Sequence, residues 1–359
     1  MNNIKKIGLT ALAGSLVTLG SAVAGEMSVS GSINTTLKFG KGGGNTSRGL
    51  GTDKDVTFSG GGELDNGTTF SMSATVADNY ELSASTTTIS TPSLGTFTFG
   101  TSTGSASYMY DEEVPVAYEQ ASDGIDNSSN KVGDFMDNNH VLYTSPTLDL
   151  MGASITAHVG YSPQANDVSV TDGGQPTYNE TYGSGQEAGL TIAYEGLKLG
   201  FYGAERENLT PDQSGADDVN DEFNGVWYAT YSMGPVSIGY SESYFDAGVT
   251  RAIDTIDKAK TRRTAGGIYE GEQMSIAFNV NDNMSISYTT SENTYDSQDD
   301  AKTAATTDDD IAQETDALQV AYSMGGMSIK AYNMEVTNPA HDDNAADQSV
   351  TEIALGFAF

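Results

Sequence analysis

The densest concentration of chemically active side chains lies between Ser102 and Asn139. These 38 residues carry Asp111, Glu112, Glu113, Glu119, Asp123, Asp126, Asp134 and Asp137 against one base, Lys131, a formal charge of −7. Carboxylates grouped in this way attract cations and repel anions over roughly a Debye length, about 10 Å at 0.1 M salt. Catalysis would also need a positioned partner within hydrogen-bond reach, and the sequence spaces none. The three histidines, His140, His158 and His341, are scattered, and there is no cysteine, so neither a zinc cluster nor a nucleophile–base pair is indicated. "GKGGGNTS", Gly40 to Ser47, lacks the closing order of a phosphate loop. The acidic stretch "SENTYDSQDDAKTAATTDDD" ends in Asp308, Asp309 and Asp310 but lacks the spaced ligands, glycine and terminal glutamate of an EF-type calcium loop. One segment is basic: between Phe245 and Gly271 lie Arg251, Lys258, Lys260, Arg262 and Arg263 against Asp246, Asp254, Asp257 and Glu270. It reads as a mixed-charge surface loop, with contact to lipopolysaccharide phosphates as the sharper alternative. The chemistry on offer is an electrostatic field, with no enzyme, metal or cofactor predicted.

The elements that must hold these charges are strands. In the closing "SVTEIALGFAF", Thr351, Ile353, Leu355, Phe357 and Phe359 share one face, and Val350, Glu352, Ala354, Gly356 and Ala358 the other. The same period of two recurs in Met27-Val29-Gly31-Ile33, Leu197-Leu199-Phe201, Met274-Ile276-Phe278-Val280 and Leu318-Val320-Tyr322-Met324. Sixteen segments follow: 26–39, 54–64, 67–77, 80–91, 95–101, 139–146, 152–162, 185–195, 197–205, 222–233, 235–245, 271–281, 283–291, 313–324, 326–335 and 349–359. Tight turns such as Asp65-Asn66-Gly67 and Met324-Gly325-Gly326 alternate with long polar loops. About ten alternating residues per segment, with short turns at one end and long loops at the other, specify an all-β, sixteen-stranded antiparallel transmembrane barrel. Closure by pairing the last strand with the first leaves no free edge. Tyr143, Tyr194, Tyr231, Tyr322 and Phe359 should then form an aromatic girdle at the turn end.

The bulk numbers agree. "MNNIKKIGLTALAGSLVTLGSAVAG" has the charged start, apolar stretch and Ala22-Val23-Ala24 cleavage site of a secretory signal. Residues 1–24 are read as signal and 25–359 as the barrel domain. Net charge is −33, and losing Lys5 and Lys6 with the signal gives −33 − 2 = −35. That excludes a nucleic-acid partner. No apolar run beyond the signal is long enough for a transmembrane helix.

At this point the chain resembles the Gram-negative general-diffusion porins of the alphaproteobacterial type. The matching stretches are "SVSGSINTTLKFG", "LDNGTTFSMSATV", "PSLGTFTFG" before the longest loop, "HVLYTSP" after it, and "IALGFAF" at the end. The resemblance implies a homotrimer in the bacterial outer membrane, among lipid and lipopolysaccharide, passing small hydrophilic solutes and ions without energy input. It also implies that the loop at 102–139 folds inward as a constriction. Asp111, Glu112, Glu113, Glu119, Asp123 and Asp126 would be its acidic edge. Ile353, Leu355, Phe357 and Phe359 resemble the signal read by the outer-membrane assembly machinery.

Such constrictions commonly set a cluster of bases opposite the acids. Here alternation turns only Lys38, Lys198, Arg206 and Lys330 inward, in three separate regions, while Thr57, Ser59, Thr69, Ser71, Ser73 and Thr75 face the lumen from the early strands. A cation preference is therefore expected. Alternation also places Gly60, Gly62, Ala74, Ala84 and Thr86 outward, a small-residue sector suited to subunit contact. His158 is read as a pore-lining polar residue. Two other classes stay open: a sugar-type specific channel using Tyr202, Tyr228 and Tyr332 as an inward aromatic ladder, and a secreted acidic surface or adhesion protein.

Overall fold

A computed structural model describes residues 26–42, 48–77, 81–111, 114–121, 136, 139–165, 182–208, 221–246, 268–296 and 311–359. The strands are β1 (Glu26–Lys41), β2 (Arg48–Glu63), β3 (Thr69–Val76), β4 (Leu82–Thr91), β5 (Gly95–Thr101) and β6 (His140–Thr144). They continue through β7 (Leu148–Leu150), β8 (Ala153–Ser162), β9 (Tyr182–Tyr194), β10 (Leu197–Asn208), β11 (Glu222–Met233) and β12 (Val236–Asp246). The last are β13 (Ile268–Asn281), β14 (Met284–Asp296), β15 (Ile311–Met324), β16 (Met327–Thr337) and β17 (Gln348–Ala358). Each pairs antiparallel with its neighbours, and β1 pairs with β17 to close the ring. The closing seam continues into the final residue: Gly31 N donates to Phe359 O at 2.8 Å, and Phe359 N donates to Gly31 O at 3.0 Å.

The short β7 is not an additional stave. β6 and β7 both pair with β8 and form one stave interrupted at Pro146, so the seventeen segments make a sixteen-stranded barrel. Proline has no N–H to give the ladder. The neighbouring serine holds the gap: Ser145 N donates to Ala157 O, and Ala157 N donates to Ser145 Oγ, both at 2.9 Å. The expected segment 139–146 thus stops early, and its ladder resumes at Leu148.

The outward face is apolar along the staves. Leu197, Phe201, Tyr231, Ile238, Met274, Ile276, Phe278 and Leu318 are all exposed. The turn-end aromatics Tyr194, Tyr231, Tyr322 and Phe359 are exposed together, as the girdle requires. The inner face is polar and largely covered: Ser241, Gln273, Ser285, Ser287, Thr289, Asn293, Gln313 and Gln319 are buried. One expectation fails. Ser73 pairs with Thr86 and Thr75 with Ala84, which puts Ala84 and Thr86 on the inner face with Ser73 and Thr75, and turns Ser85, Thr87 and Ile89 outward. β4 is polar on both faces, and a one-residue slip exchanges the faces; its ladder with β3 also shifts register between Thr75 and Val76.

Candidate functional site: the barrel lumen

The lumen holds a segment of the longest loop. Residues 105–111 follow β5 into the lumen, and with 114–121 they lie along the inner wall from β8 round to β17. Within them Ser105, Ala106, Ser107, Tyr110, Val114, Val116, Ala117, Tyr118 and Ala121 are buried. The segment lacks strand partners, so its polar groups must find acceptors on the wall. They do so at two ends and along the middle.

At the first end, Ala106 N donates to Glu187 Oε1 at 2.9 Å, and Tyr202 OH donates to Glu187 Oε2 at 3.0 Å. Tyr110 OH lies 2.6 Å from His158 Nδ1 and accepts from Thr191 Oγ1 at 3.1 Å. The Tyr110 ring stacks on Tyr202, with centroids 5.4 Å apart and planes at 19°, and tilts against Tyr228 at 6.3 Å. A side chain at Gly189 would run into this ring, so its absence makes the seat.

In the middle, Ser275 Oγ donates to Pro115 O at 2.9 Å, and Ala117 N donates to Ser287 Oγ at 2.8 Å. Gly239 lets the backbone approach closely: a Cβ there would strike Pro115 and sit 3.2 Å from Val114 Cα. At the second end, Gln319 Oε1 accepts from Tyr118 N at 2.7 Å and Glu119 N at 3.0 Å. Glu352 receives Tyr118 OH at 2.7 Å and Tyr332 OH at 3.1 Å. Burial, then the adjoining Glu352 and Glu119 carboxylates, push the Tyr118 phenol well above its usual range, so it stays a proton donor. Each end has its own apolar cluster, one around Tyr110, Met136, Leu142 and Tyr228, the other around Tyr118, Met334, Val336 and Val350.

All four expected bases face inward, but they do not gather. Lys38 Nζ lies 4.0 Å from Glu352. Lys330 Nζ stands 5.0 Å above the Tyr118 ring, and Lys198 Nζ 5.1 Å above Tyr228. Arg206 is ion-paired with Glu222, donates to Ala165 O at 3.2 Å and covers the Tyr182 ring at 3.5 Å. The bases serve the loop and its wall instead of forming a separate patch. Of the expected acids, Asp111 and Glu119 are half-buried on the segment; Glu112, Glu113, Asp123 and Asp126 lie outside the described residues, as do the signal and the basic stretch 247–267. Among the described residues of the segment, Tyr108 and Met109 are the exposed side chains, at 54% and 41%.

The reading of His158 as pore-lining does not hold, because Tyr110 covers it and leaves it 5% exposed. Tyr202, Tyr228 and Tyr332 do point inward, but all three are buried under the loop, which leaves no aromatic ladder open to a sugar. The sequence reading missed Tyr110, Tyr118, Glu187, Gln319 and Glu352. Alternation already put Glu187 and Glu352 on inner faces, and two tyrosines in an acidic loop were the other signal. Of the expected terminal motif, Ile353, Phe357 and Phe359 are exposed on the outer wall.

No curated protein matches the chain in sequence. Among solved structures, OmpF of Salmonella typhi in complex with daunomycin has a TM-score of 0.65 at 11% identity, covering 93% of this chain and 97% of that one. The anion-selective porin from Comamonas acidovorans has a TM-score of 0.64 at 12% identity, covering 93% and 99%. OmpT of Vibrio cholerae, in its in-vitro folded trimer form, has a TM-score of 0.61 at 14% identity, covering 94% and 100%. At these identities the likeness is one of fold. The profile of the Gram-negative porins matches residues 8–217. That match covers more than half of the sequence, and so the chain belongs to the Gram-negative porin family.

Proposed function

We propose that this porin is a passive, cation-preferring channel for small hydrophilic solutes, and that residues 105–121 narrow its lumen. The observation that carries the reading is the loop segment's attachment inside the closed barrel, with its backbone donors received by Glu187, Ser287 and Gln319. The charge balance sets the preference. On the inner face, Asp53, Asp55, Glu187, Glu222 and Glu352 join the loop acids. The four inward bases are held against a carboxylate or an aromatic ring. One fold relative is anion-selective by description, so selectivity must come from these side chains and not from the fold. Burial of the three inner tyrosines speaks against the sugar-specific alternative, and family membership against the adhesin. No enzymatic role is proposed.

The same reading places the mature chain, after loss of residues 1–24, in the outer membrane as a homotrimer. Gly60, Gly62 and Ala74 would lie in its contact sector, and Ile353, Leu355, Phe357 and Phe359 would serve assembly. Reversal potential under a potassium chloride gradient in planar bilayers tests the function. Cation preference is expected near 0.1 M salt, fading near 1 M where the Debye length is about 3 Å. It should fall when Asp111→Asn, Glu112→Gln and Glu113→Gln are combined. An anion-selective wild type, or a triple variant with unaltered selectivity, would remove the acidic loop from the conduction path.

A further inference from the structure

The outer wall carries a second feature that conduction does not use. Along β12 to β15, Glu242, Glu272, Glu292 and Glu314 are direct cross-strand partners in succession, all on the outward face. Like charges directly opposite one another are unfavourable, and lipid makes an outward carboxylate more costly still. The row therefore marks the level at which the apolar band ends. On β13 this is nine residues above the turn-end Asn281, beyond Val280, Phe278, Ile276 and Met274. Tilted strands take about ten residues to cross a band of about 25 Å. The row thus lies at headgroup height.

At one end of this row the wall opens into a cleft of about 500 Å³. Gly225 supplies its floor, for it stands outward between Gly203 and Tyr244 without a side chain of its own, and the Phe223 ring lies against it. Phe201, Trp227 and Tyr244 form aromatic walls, and Glu242, Glu270 and Glu272 bring three carboxylates to the rim with no base among the lining residues. Trp227, the sole tryptophan of the chain, is held in place. Its Nε1 donates to Glu242 Oε2 at 2.8 Å, and Tyr240 OH donates to Glu242 Oε1 at 2.6 Å.

We infer that this cleft binds the ammonium headgroup of a membrane amphiphile. Aromatic faces attract a cation through their quadrupoles, and tryptophan does so most strongly. Three rim carboxylates supply the long-range attraction and offset their mutual repulsion only when a positive group joins them. An alkyl chain below the headgroup would lie on the outward apolar positions Leu199, Ile238 and Ile276, which continue down the same staves. An anionic lipid head is disfavoured by the same charges. The competing occupant is the chain's own basic segment, which departs from Asp246 just above and bears Arg251, Lys258, Lys260, Arg262 and Arg263.

Trp227 makes the test direct. The folded protein in dodecyl maltoside is titrated with dodecyltrimethylammonium, with dodecyl sulfate and with magnesium chloride, while tryptophan emission is followed. The expected result is a saturable shift with the ammonium amphiphile only, weakened about tenfold by Glu270→Gln with Glu272→Gln. That pair leaves the Glu242–Trp227 hydrogen bond in place. Glu335→Gln, on β16 and away from the cleft, should bind as wild type, and circular dichroism confirms that each variant keeps its sheet. An equal shift with dodecyl sulfate or magnesium alone, or unaltered binding by the Glu270/Glu272 variant, overturns the inference. Binding seen only after the five bases of the 247–267 segment are neutralised also overturns it, and assigns the cleft to that segment.

Discussion

The two ends of the inward segment use one device with two different supports. At each end a buried wall carboxylate receives one donor from a wall tyrosine and one from the loop: Glu187 with Tyr202 and Ala106, Glu352 with Tyr332 and Tyr118. Around Tyr110 the support is packing, with stacked rings and the His158 imidazole. Around Tyr118 charge is added to the apolar cluster, with Lys38 near Glu352 and Lys330 over the tyrosine ring. A porin loop must stay put in a water-filled tube, where water competes for every hydrogen bond. The first end answers by excluding water, the second by strengthening the bonds it makes.

Breaking the packed end should have the largest effect. Tyr110→Ala removes a fully buried ring and leaves a void between Tyr202 and Tyr228, and large-to-small aromatic substitutions cost about 3–5 kcal/mol. The loss should show as frequent, long current fluctuations and as new proteolytic cleavage within 102–139. Tyr118→Ala should do less, because that end retains the Gln319 bonds to the backbone of residues 118 and 119.

Next in size is the shared middle. Gly239→Val puts methyl groups where Val114 and Pro115 sit, an overpacking of about 1–3 kcal/mol. The segment should leave the wall and crowd the axis, so single-channel conductance should fall. Normal conductance in this variant would mean that the close approach at Gly239 carries no load.

The charged end should be the salt-sensitive one. Glu352→Gln removes the partner of Lys38 and a charged acceptor, a loss of about 1.5–3 kcal/mol. Current noise in wild type should rise between 0.1 M and 1 M salt in the manner of this variant, whereas Glu352→Gln itself should be nearly indifferent to salt. The smallest effect belongs to Tyr110→Phe, which keeps the stack and loses only the hydroxyl, about 1 kcal/mol.

The barrel was legible because lipid imposes a period of two that few other environments impose. Where that pressure lapses, the sequence reading faltered. β2 begins at Arg48 instead of 54, β9 at Tyr182 instead of 185, and β14 reaches Asp296 instead of 291, because ladders persist above the membrane where both faces are polar. β4 lost its parity for the same reason. In the lumen, alternation correctly turned Lys38, Lys198, Arg206 and Lys330 inward but could not say what they touch. Lys330 meets the loop at Tyr118, Lys198 and Arg206 meet Tyr228, Glu222 and Tyr182 on neighbouring staves, and only the closed ring brings Lys38 and Tyr118 to Glu352. Tyr202, Tyr228 and Tyr332 teach the same point: an inward side chain is not an open one once a loop lies over it.

The central claim, that residues 105–111 and 114–121 rest on the inner wall while the channel conducts, can be read from one disulfide. The chain has no cysteine, so Ala117→Cys with Ser287→Cys gives an otherwise clean pair at a site where Ala117 N and Ser287 Oγ are 2.8 Å apart. The account predicts that the bond forms on mild oxidation of the folded protein, with single-channel conductance matching that of the reduced form. Failure of the two sulfurs to join in a folded, conducting barrel, or a conductance that changes when they do, would contradict it.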